Sequence, residues 1–336
     1  MCRWERKRSS ILALSLWALT LLSVFGLYLS IGVRQKIALV KNLTFRDSLY
    51  YIADAGIKRG IVEIKIDEIL GTDTLKESWS NNPAVFKDIK LGRGSLSVGY
   101  DFVDKGGATR KMFGLVDEER KININTANRK VLTKLFEVVL RLDQVQAQEI
   151  AASIIDWRDN DSFLSIPVGS AEDSYYRNLK ESYDCKDSSF QALEELLLVK
   201  GINRSIFEQI KDFVTIYGEG SVNANTAPRE VLLALGIDDL LADKIIDYRS
   251  GEDEIQGTSD DNVFTGPGNI VAGLSQFTDL ASSEVALLSN IVSAGLLGTS
   301  SYNFTVRSTA SIPGGLSKEI IAVVDRTGQI FSWRQF

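Results

Sequence analysis

Residues 9–33 read SSILALSLWALTLLSVFGLYLSIGV, and this uncharged run decides how the chain is organised. As a helix, the run is long enough to cross about 30 Å of hydrocarbon. Residues 1–8 carry four basic side chains against one acid. Because such basic flanks stay in the cytoplasm, we expect a single-pass protein of the cell inner membrane whose remaining residues lie on the periplasmic side.

The chain continues without a helix breaker as RQKIALVKNLTFRDSLYYIADAGIKRGIVEI over residues 34–64. Apolar residues recur there at roughly helical spacing, among them Ile37, Val40, Leu43, Leu49, Ile52, Ala53 and Ile57. We therefore predict one helix of about 50 residues and about 75 Å, half in lipid and half amphipathic. A secretory signal peptide is disfavoured because its apolar region is shorter and ends at a small-residue cleavage site. A simple signal anchor explains the apolar run but not its continuation.

The composition excludes several classes of function. The 336 residues contain no histidine, which removes Ser-His and Cys-His catalysis and most zinc sites. The net charge of −6 argues against a broad surface for nucleic acid. No nucleophile site, phosphate-binding glycine loop or cofactor fingerprint is recognisable. We predict a protein that is not an enzyme, and we expect its two cysteines, Cys2 and Cys185, to stay unpaired on opposite sides of the membrane.

A repeat marks the soluble part. Residues 122–135 read ININTANRKVLTKL and residues 222–235 read VNANTAPREVLLAL, and each copy is followed by a second match, IIDWR at 154–158 and IIDYR at 245–249. Asn, Thr and Pro are favoured at helix starts, and the apolar positions that follow have helical spacing. The repeat therefore predicts two related helical units.

Residues 190–213, FQALEELLLVKGINRSIFEQIKDF, have the pattern of a helix-hairpin-helix with its turn at Gly201. Such hairpins can bind the DNA backbone through turn N–H groups and nearby positive charge, which Lys200, Arg204 and Lys211 would supply. Acidic residues surround the hairpin, so a role in packing alone is favoured.

Strand patterns flank the helical region. GSLSVGYDFVD at 94–104 alternates with a period of two, and SYNFTVRSTASI, EIIAVVDRT and IFSWRQF follow residue 300. We predict that strands before residue 120 and after residue 300 share one sheet.

Several of these segments together resemble the minor pseudopilin K family of bacterial type II secretion systems. The matching elements are RSSILALSLW at 8–17, ADAG at 53–56, NINTA, IIDWRDNDS, GSAEDSYY at 169–176 and VNANTAP, in the family's order and over most of the chain. The resemblance implies an α+β, pilin-like fold, in which a long N-terminal transmembrane and amphipathic helix packs on a small antiparallel sheet. It also implies a large inserted all-α domain with helix-hairpin-helix or SAM-like repeats.

Six segments follow from this resemblance. They are a basic cytoplasmic leader (1–9), a transmembrane helix (10–33), its amphipathic continuation (34–65), pilin-like strands (66–120), an inserted helical domain with two NTA repeats (121–298) and C-terminal strands that complete the sheet (299–336).

The resemblance also assigns roles near the N-terminus. A prepilin peptidase in this family cuts just before the apolar run, usually after glycine, and Ser9 stands at that position with Ser10 as the new N-terminus. Most pseudopilins carry a glutamate at the fifth mature position, where it pairs with a neighbouring subunit inside the membrane. Leu14 stands there instead, as in pseudopilin K. A subunit with no subunit above it has no use for a costly intramembrane carboxylate.

The function implied is a minor pseudopilin that caps the tip of the type II secretion pseudopilus, helps to initiate its assembly and supports protein secretion across the outer membrane. The partners implied are the minor pseudopilins I and J, joined through N-terminal helices, other pseudopilins and the prepilin peptidase. Nucleic acid is not expected. Two alternatives stay open: a membrane-anchored, competence-type DNA-binding protein and a tip subunit of a related type IV pilus.

Acidic residues cluster after IIDWR, at Asp156, Asp159 and Asp161 and again at Glu172 and Asp173. Carboxylates in a loop are good ligands for Ca²⁺, although the pattern is not that of an EF-hand, and a solvated acidic loop would look the same. Heads in the family can carry structural calcium. The resemblance thus favours Asp159, Asp161 and Glu172 as calcium ligands, with no other cofactor expected.

Overall fold

The computed structural model describes residues 5–67 and 71–336, with side chains from residue 11 apart from 38 and 42. Cys2 and the first residues of the basic leader lie outside this part. Helix α1 runs unbroken from Glu5 to Lys65, 61 residues in all. The long N-terminal helix is confirmed, and it extends further back into the basic segment than predicted.

A six-stranded antiparallel sheet holds the C-terminal half of α1. Its strands are β1 (Ile89–Leu91), β2 (Gly94–Val98), β5 (Val116–Asp117), β10 (Asn303–Ser311), β11 (Ser317–Asp325) and β12 (Ile330–Gln335). They pair in the order β1-β2-β10-β11-β12, and β5 also pairs with β10. Strands from before residue 120 and after residue 300 therefore share one sheet, as predicted.

Helix α1 packs on one face of this sheet through Leu49, Ala53 and Ile57, which are almost fully buried. Gly56 lies so close to β10 that a Cβ atom there would overlap with the side chain of Ser308. Each large apolar side chain removed from water stabilises this packing by about 1.5–3 kcal/mol. Helix α2 (Pro83–Phe86) and the hairpin of β3 (Tyr100–Val103) and β4 (Thr109–Met112) complete the segment before the repeats.

Two repeats lie between β5 and β10. The first contains β6 (Ile122–Asn123), α3 (Arg129–Leu140), α4 (Gln144–Arg158), α5 (Asp173–Tyr176), a 3₁₀ helix (Leu193–Leu198), α6 (Arg204–Ile210) and β7 (Val214–Thr215). The second contains β8 (Val222–Asn223), α7 (Arg229–Ala234), α8 (Asp239–Arg249), a 3₁₀ helix (Pro267–Asn269), α9 (Ile270–Phe277), α10 (Ser282–Ser293) and β9 (Leu297–Gly298).

Short strands close each repeat, which corrects the expectation of an all-α insertion. Strand β6 pairs in parallel with β7, and β8 pairs in parallel with β9. Two-residue strands give no alternating pattern long enough to recognise in a sequence. The first arm of the predicted hairpin also differs, because Leu193–Leu198 forms a 3₁₀ helix rather than an α-helix.

The repeated Asn and Arg residues have the same hydrogen bonds in both copies. Asn125 exchanges two bonds with the backbone of Phe190, at 2.8 and 3.0 Å, and Asn225 does so with Phe264 at 2.9 and 3.1 Å. Arg158 donates to the carbonyls of Ile124 and Ala127, and Arg249 to those of Ala224 and Ala227. These side chains, buried in the second copy and partly buried in the first, join the start of each repeat to its later elements. They satisfy backbone groups that would otherwise be costly to bury.

Candidate functional site

The three predicted calcium ligands lie together at the end of α4. Asp159 follows the last residue of that helix, Asp161 lies two residues further on, and Glu172 precedes α5. One carboxylate oxygen from each lies within 4.8 Å of the others. Glu172 is 4% exposed, so the group is a partly buried corner rather than a solvated loop.

Four carboxylate oxygens at this corner are buried without a hydrogen-bond partner: Asp156 Oδ2, Asp159 Oδ1, Glu172 Oε1 and Asp187 Oδ1. An unsatisfied buried acceptor costs about 1–3 kcal/mol, and more when it is charged. Sequence reasoning missed Asp187, because it lies 15 residues beyond Glu172 (172 to 187).

Burial and like charge both disfavour the ionised carboxylates. Burial raises the pKa of Asp159 to about 6, assisted by the negative charges of Asp161 and Asp156. Burial likewise raises the pKa of Glu172 to about 7, assisted by Asp156 and Asp159. The neighbouring Arg158 does little to offset this, because its guanidinium is bound to backbone carbonyls on the other side.

The chemistry of the donors fits a hard cation. Ca²⁺ takes six to eight oxygen ligands, and this corner offers unpaired carboxylate oxygens from several residues. The thiol of Cys185 also lies near Glu172 and Asp187. Burial raises its pKa to about 12, which disfavours the thiolate form that soft metals bind.

The second repeat lacks this acidic corner. Aligning IIDYR with IIDWR places Ser250 at the position of Asp159, and Glu252 at that of Asp161. Asp247, at the position of Asp156, is bound by Lys105 at 2.6 Å. Among the residues that the structure describes, the buried carboxylate oxygens without a partner lie in the first repeat, so the repeat framework alone does not produce them.

The other functional segment is the free half of α1. The large apolar side chains from Ile11 to Leu43 are exposed, Leu14 by 73% and Trp17 by 75%. Helix α1 is long and apolar enough from Ile11 onward to cross a membrane. Soluble proteins rarely expose so large an apolar surface, so this surface needs lipid or other helices around it. Ser9 and Ser10 lie on the helical backbone, and their side chains are outside the described ones.

The hairpin around Gly201 has little positive charge free for DNA. Lys200 Nζ donates to the carbonyl of Gly169 at 2.8 Å, and Glu208 pairs with both Arg204 and Lys211 at 2.8 and 2.5 Å. A phosphate would have to displace these contacts. The structure therefore does not favour the DNA-binding alternative.

Comparison with known proteins agrees with this geometry. Residues 112–220, which contain the first repeat and its acidic corner, match the family model of type II secretion system protein K. These residues of the chain are thus similar to protein K. The resemblance found in the sequence is thereby confirmed, and it favours a secretion system over a related pilus.

A solved structure also shares the fold. It is a chain of the GspK-GspI-GspJ complex from the type 2 secretion system of enterotoxigenic Escherichia coli, with a TM-score of 0.64 and 16% sequence identity. The match covers 88% of this chain and 98% of that one. At this identity the likeness shows a common architecture of helix and sheet. No curated protein sequence matches the chain.

Proposed function

We propose that this chain is a minor pseudopilin that caps the tip of a type II secretion pseudopilus and helps to initiate its assembly, in support of secretion across the outer membrane. One observation carries the proposal. The N-terminal half of α1 is exposed and apolar, its C-terminal half packs on a sheet, and residues 112–220 of the same chain match the model of protein K. This division fits a pilin-like, non-enzymatic subunit that is anchored in the inner membrane, with its head on the periplasmic side.

The partners follow from the exposed half of α1. The similar solved chain forms a complex with GspI and GspJ. We propose that this chain joins the minor pseudopilins I and J through its N-terminal helix, and then meets the other pseudopilins. Cleavage by the prepilin peptidase after Ser9 would leave Ser10 first and Leu14 fifth. An apolar residue there suits the top of the assembly, where no amine from a higher subunit needs a carboxylate.

The proposed placement at the tip rests on the size of the helical insertion. The helical segment (121–298) leaves the sheet after β5 and returns before β10, so it forms one large insertion on a small sheet. We propose the six segments given above as the domain organisation. A subunit stacked directly above this head would have to occupy the space of the insertion.

We further propose that the acidic corner holds a structural Ca²⁺. Asp159, Asp161 and Glu172 would be ligands, and the unpaired oxygens of Asp156 and Asp187 make these residues ligands as well. Bound calcium would place positive charge between carboxylates that otherwise repel each other. It would thereby join the end of α4 to the segments that carry Glu172 and Asp187.

Electron microscopy of pseudopili with a gold-labelled tag on the head tests the proposed position. Label at one end of each filament is expected, and label along the length would overturn tip capping. Co-purification of the full chain with I and J from membranes tests the partners. Two variants form a matched pair: Leu14→Ile keeps the apolar surface of α1, and Trp17→Asp places a charge on it. Only Trp17→Asp should abolish co-purification.

A further inference from the structure

A cleft of about 1050 Å³ separates the sheet from the helical repeats. One wall is the face of β10–β12 that points away from α1, and includes Ile321 and Phe331. The other walls come from the β3–β4 hairpin and from both repeats. The cleft is large enough for a small molecule or a peptide side chain, and the calcium site and α1 do not contribute to it.

Three arginines lie near one side of this cleft, and two of them lie over the ring of Phe102. The guanidinium carbons of Arg110 and Arg120 lie 5.0 and 5.5 Å from the ring centre. Arg120 and Arg249 line the cleft, whereas Arg110 is bound to the carbonyl of Gln256 behind it. Arg249 is only 4% exposed.

Among the described residues, none of these arginines has a carboxylate oxygen within 4.0 Å. Asp117 interacts with Arg120 and Asp261 with Arg249 from further away, and both carboxylates also accept hydrogen bonds. Asp117 accepts from Thr226 at 2.5 Å, and Asp261 accepts from the backbone of Gly257 at 2.7 Å. Positive charge that no direct ion pair offsets is costly in a partly buried position, and an arginine there usually has an anionic partner.

Two buried N–H groups in the cluster also lack acceptors, namely Nε of Arg249 and Nε of Arg110. The repeat framework accounts for the Nη atoms of Arg249, which bind the carbonyls of Ala224 and Ala227, but not for its Nε. Arg158 makes the same bonds in the first repeat, but the charged residue beside it is Asp159 rather than Arg120. Arg249 thus has a second arginine near it besides Asp261, whereas Arg158 has Asp159.

We infer that Arg120 and Arg249 form an anion site in this cleft that takes a carboxylate or a phosphate group. A guanidinium presents paired donors that match the two oxygens of such a group. One oxyanion bound by Arg120 would also offset the charge of Arg249 nearby. The carboxylate of an acidic peptide and free inorganic phosphate are the two sources that offer this chemistry.

Isothermal titration calorimetry of the full chain in detergent micelles tests the site, at low ionic strength and without added calcium. Inorganic phosphate and succinate are the two probes. Saturable binding of phosphate alone would assign the site to phosphate, and saturable binding of succinate would assign it to carboxylates. If neither probe binds saturably, the inference is wrong.

Variants connect the binding to the arginines. Arg120 makes no hydrogen bond that holds the fold, so we expect Arg120→Gln to fold and to weaken binding by about tenfold or more. Arg120→Lys keeps the charge and should restore part of the affinity. Arg93→Gln removes an exposed basic side chain outside the cleft and should bind like the parent. Equal affinity in Arg120→Gln and the parent would overturn the site.

Discussion

Calcium added to the metal-free chain should raise its unfolding temperature, and the rise should be larger at pH 7 than at pH 5. In the folded state the pKa of Asp159 is about 6 and that of Glu172 is about 7, above their ordinary values of 3.8 and 4.5. A carboxyl group with a raised folded-state pKa binds its proton more tightly when the protein is folded. The metal-free protein therefore loses stability as the pH rises from about 4 to about 7.

The size of the effect follows from these values. One pKa unit corresponds to about 1.4 kcal/mol, so the two raised values would cost about 3 kcal/mol each if they counted in full. These two costs do not add in full, because water reaches Asp159 and Asp161 and because part of each pKa change comes from the same mutual repulsion. We therefore expect the two groups together to lower the free energy of unfolding by about 2 kcal/mol at pH 7. Calcium at 100 times its Kd stabilises the folded state by about 2.7 kcal/mol. For a domain of this size that is a rise of roughly 5–10 °C.

Differential scanning calorimetry of the full chain in detergent micelles, with calcium or with a chelator, measures this rise. Glu172→Gln separates the repulsion among the carboxylates from the binding of calcium, because it removes a buried negative charge that is also a proposed ligand. Without calcium at pH 7 the variant should unfold at a higher temperature than the parent, and with calcium at a lower one. Glu181→Gln changes an exposed acid in the following segment and should behave like the parent. No calcium-dependent rise in the parent, or an equal rise in Glu172→Gln, would refute the reasoning.

Three further changes test the fold and the assembly. Gly56→Val should destabilise the head by about 2 kcal/mol or more in chemical unfolding, because Ser308 occupies the space of the new side chain. The control Gly26→Val should be neutral, because no atom lies near the Cβ position of Gly26. Asn225→Ala should cost about 2–3 kcal/mol in the same measurement, because the backbone of Phe264 loses both its partners. Leu14→Glu should reduce the recovery of the complex with I and J from membranes, because an unpaired carboxylate within the bilayer is costly. Unchanged recovery would show that the position has a partner.

Periodicity made the main architecture predictable. The uncharged run and its amphipathic continuation gave the single helix α1, and the period-two segments gave the sheet. Strands β6–β9 could not be predicted, because two residues carry no period. They exist because the repeat framework brings both ends of each unit together, and this is a tertiary effect.

The acidic corner was predictable only as far as its local spacing allowed. Asp159 and Asp161 follow one helix end, and Glu172 lies close to them along the chain, so composition pointed to all three. Asp187 reaches the same corner through a backbone with a positive φ of 51°, a conformation that the sequence does not signal for aspartate. The arginine cluster is harder still, since Arg120 and Arg249 are 129 residues apart (120 to 249).

The two repeats show how one framework can carry opposite charges. In both copies an arginine at the end of the IIDWR or IIDYR helix binds two carbonyls at the start of its own repeat. These bonds hold the helix end in place whatever surrounds it, so the neighbouring residues are free to differ. In the first repeat acids gather beside Arg158 and leave unpaired carboxylate oxygens, which the proposed calcium would bind. Near the end of α8, Lys105 binds Asp247 and Arg120 lies near Arg249, where we propose the anion site. Binding at one corner should therefore be insensitive to substitutions at the other, because each site depends on its own neighbours rather than on the shared framework.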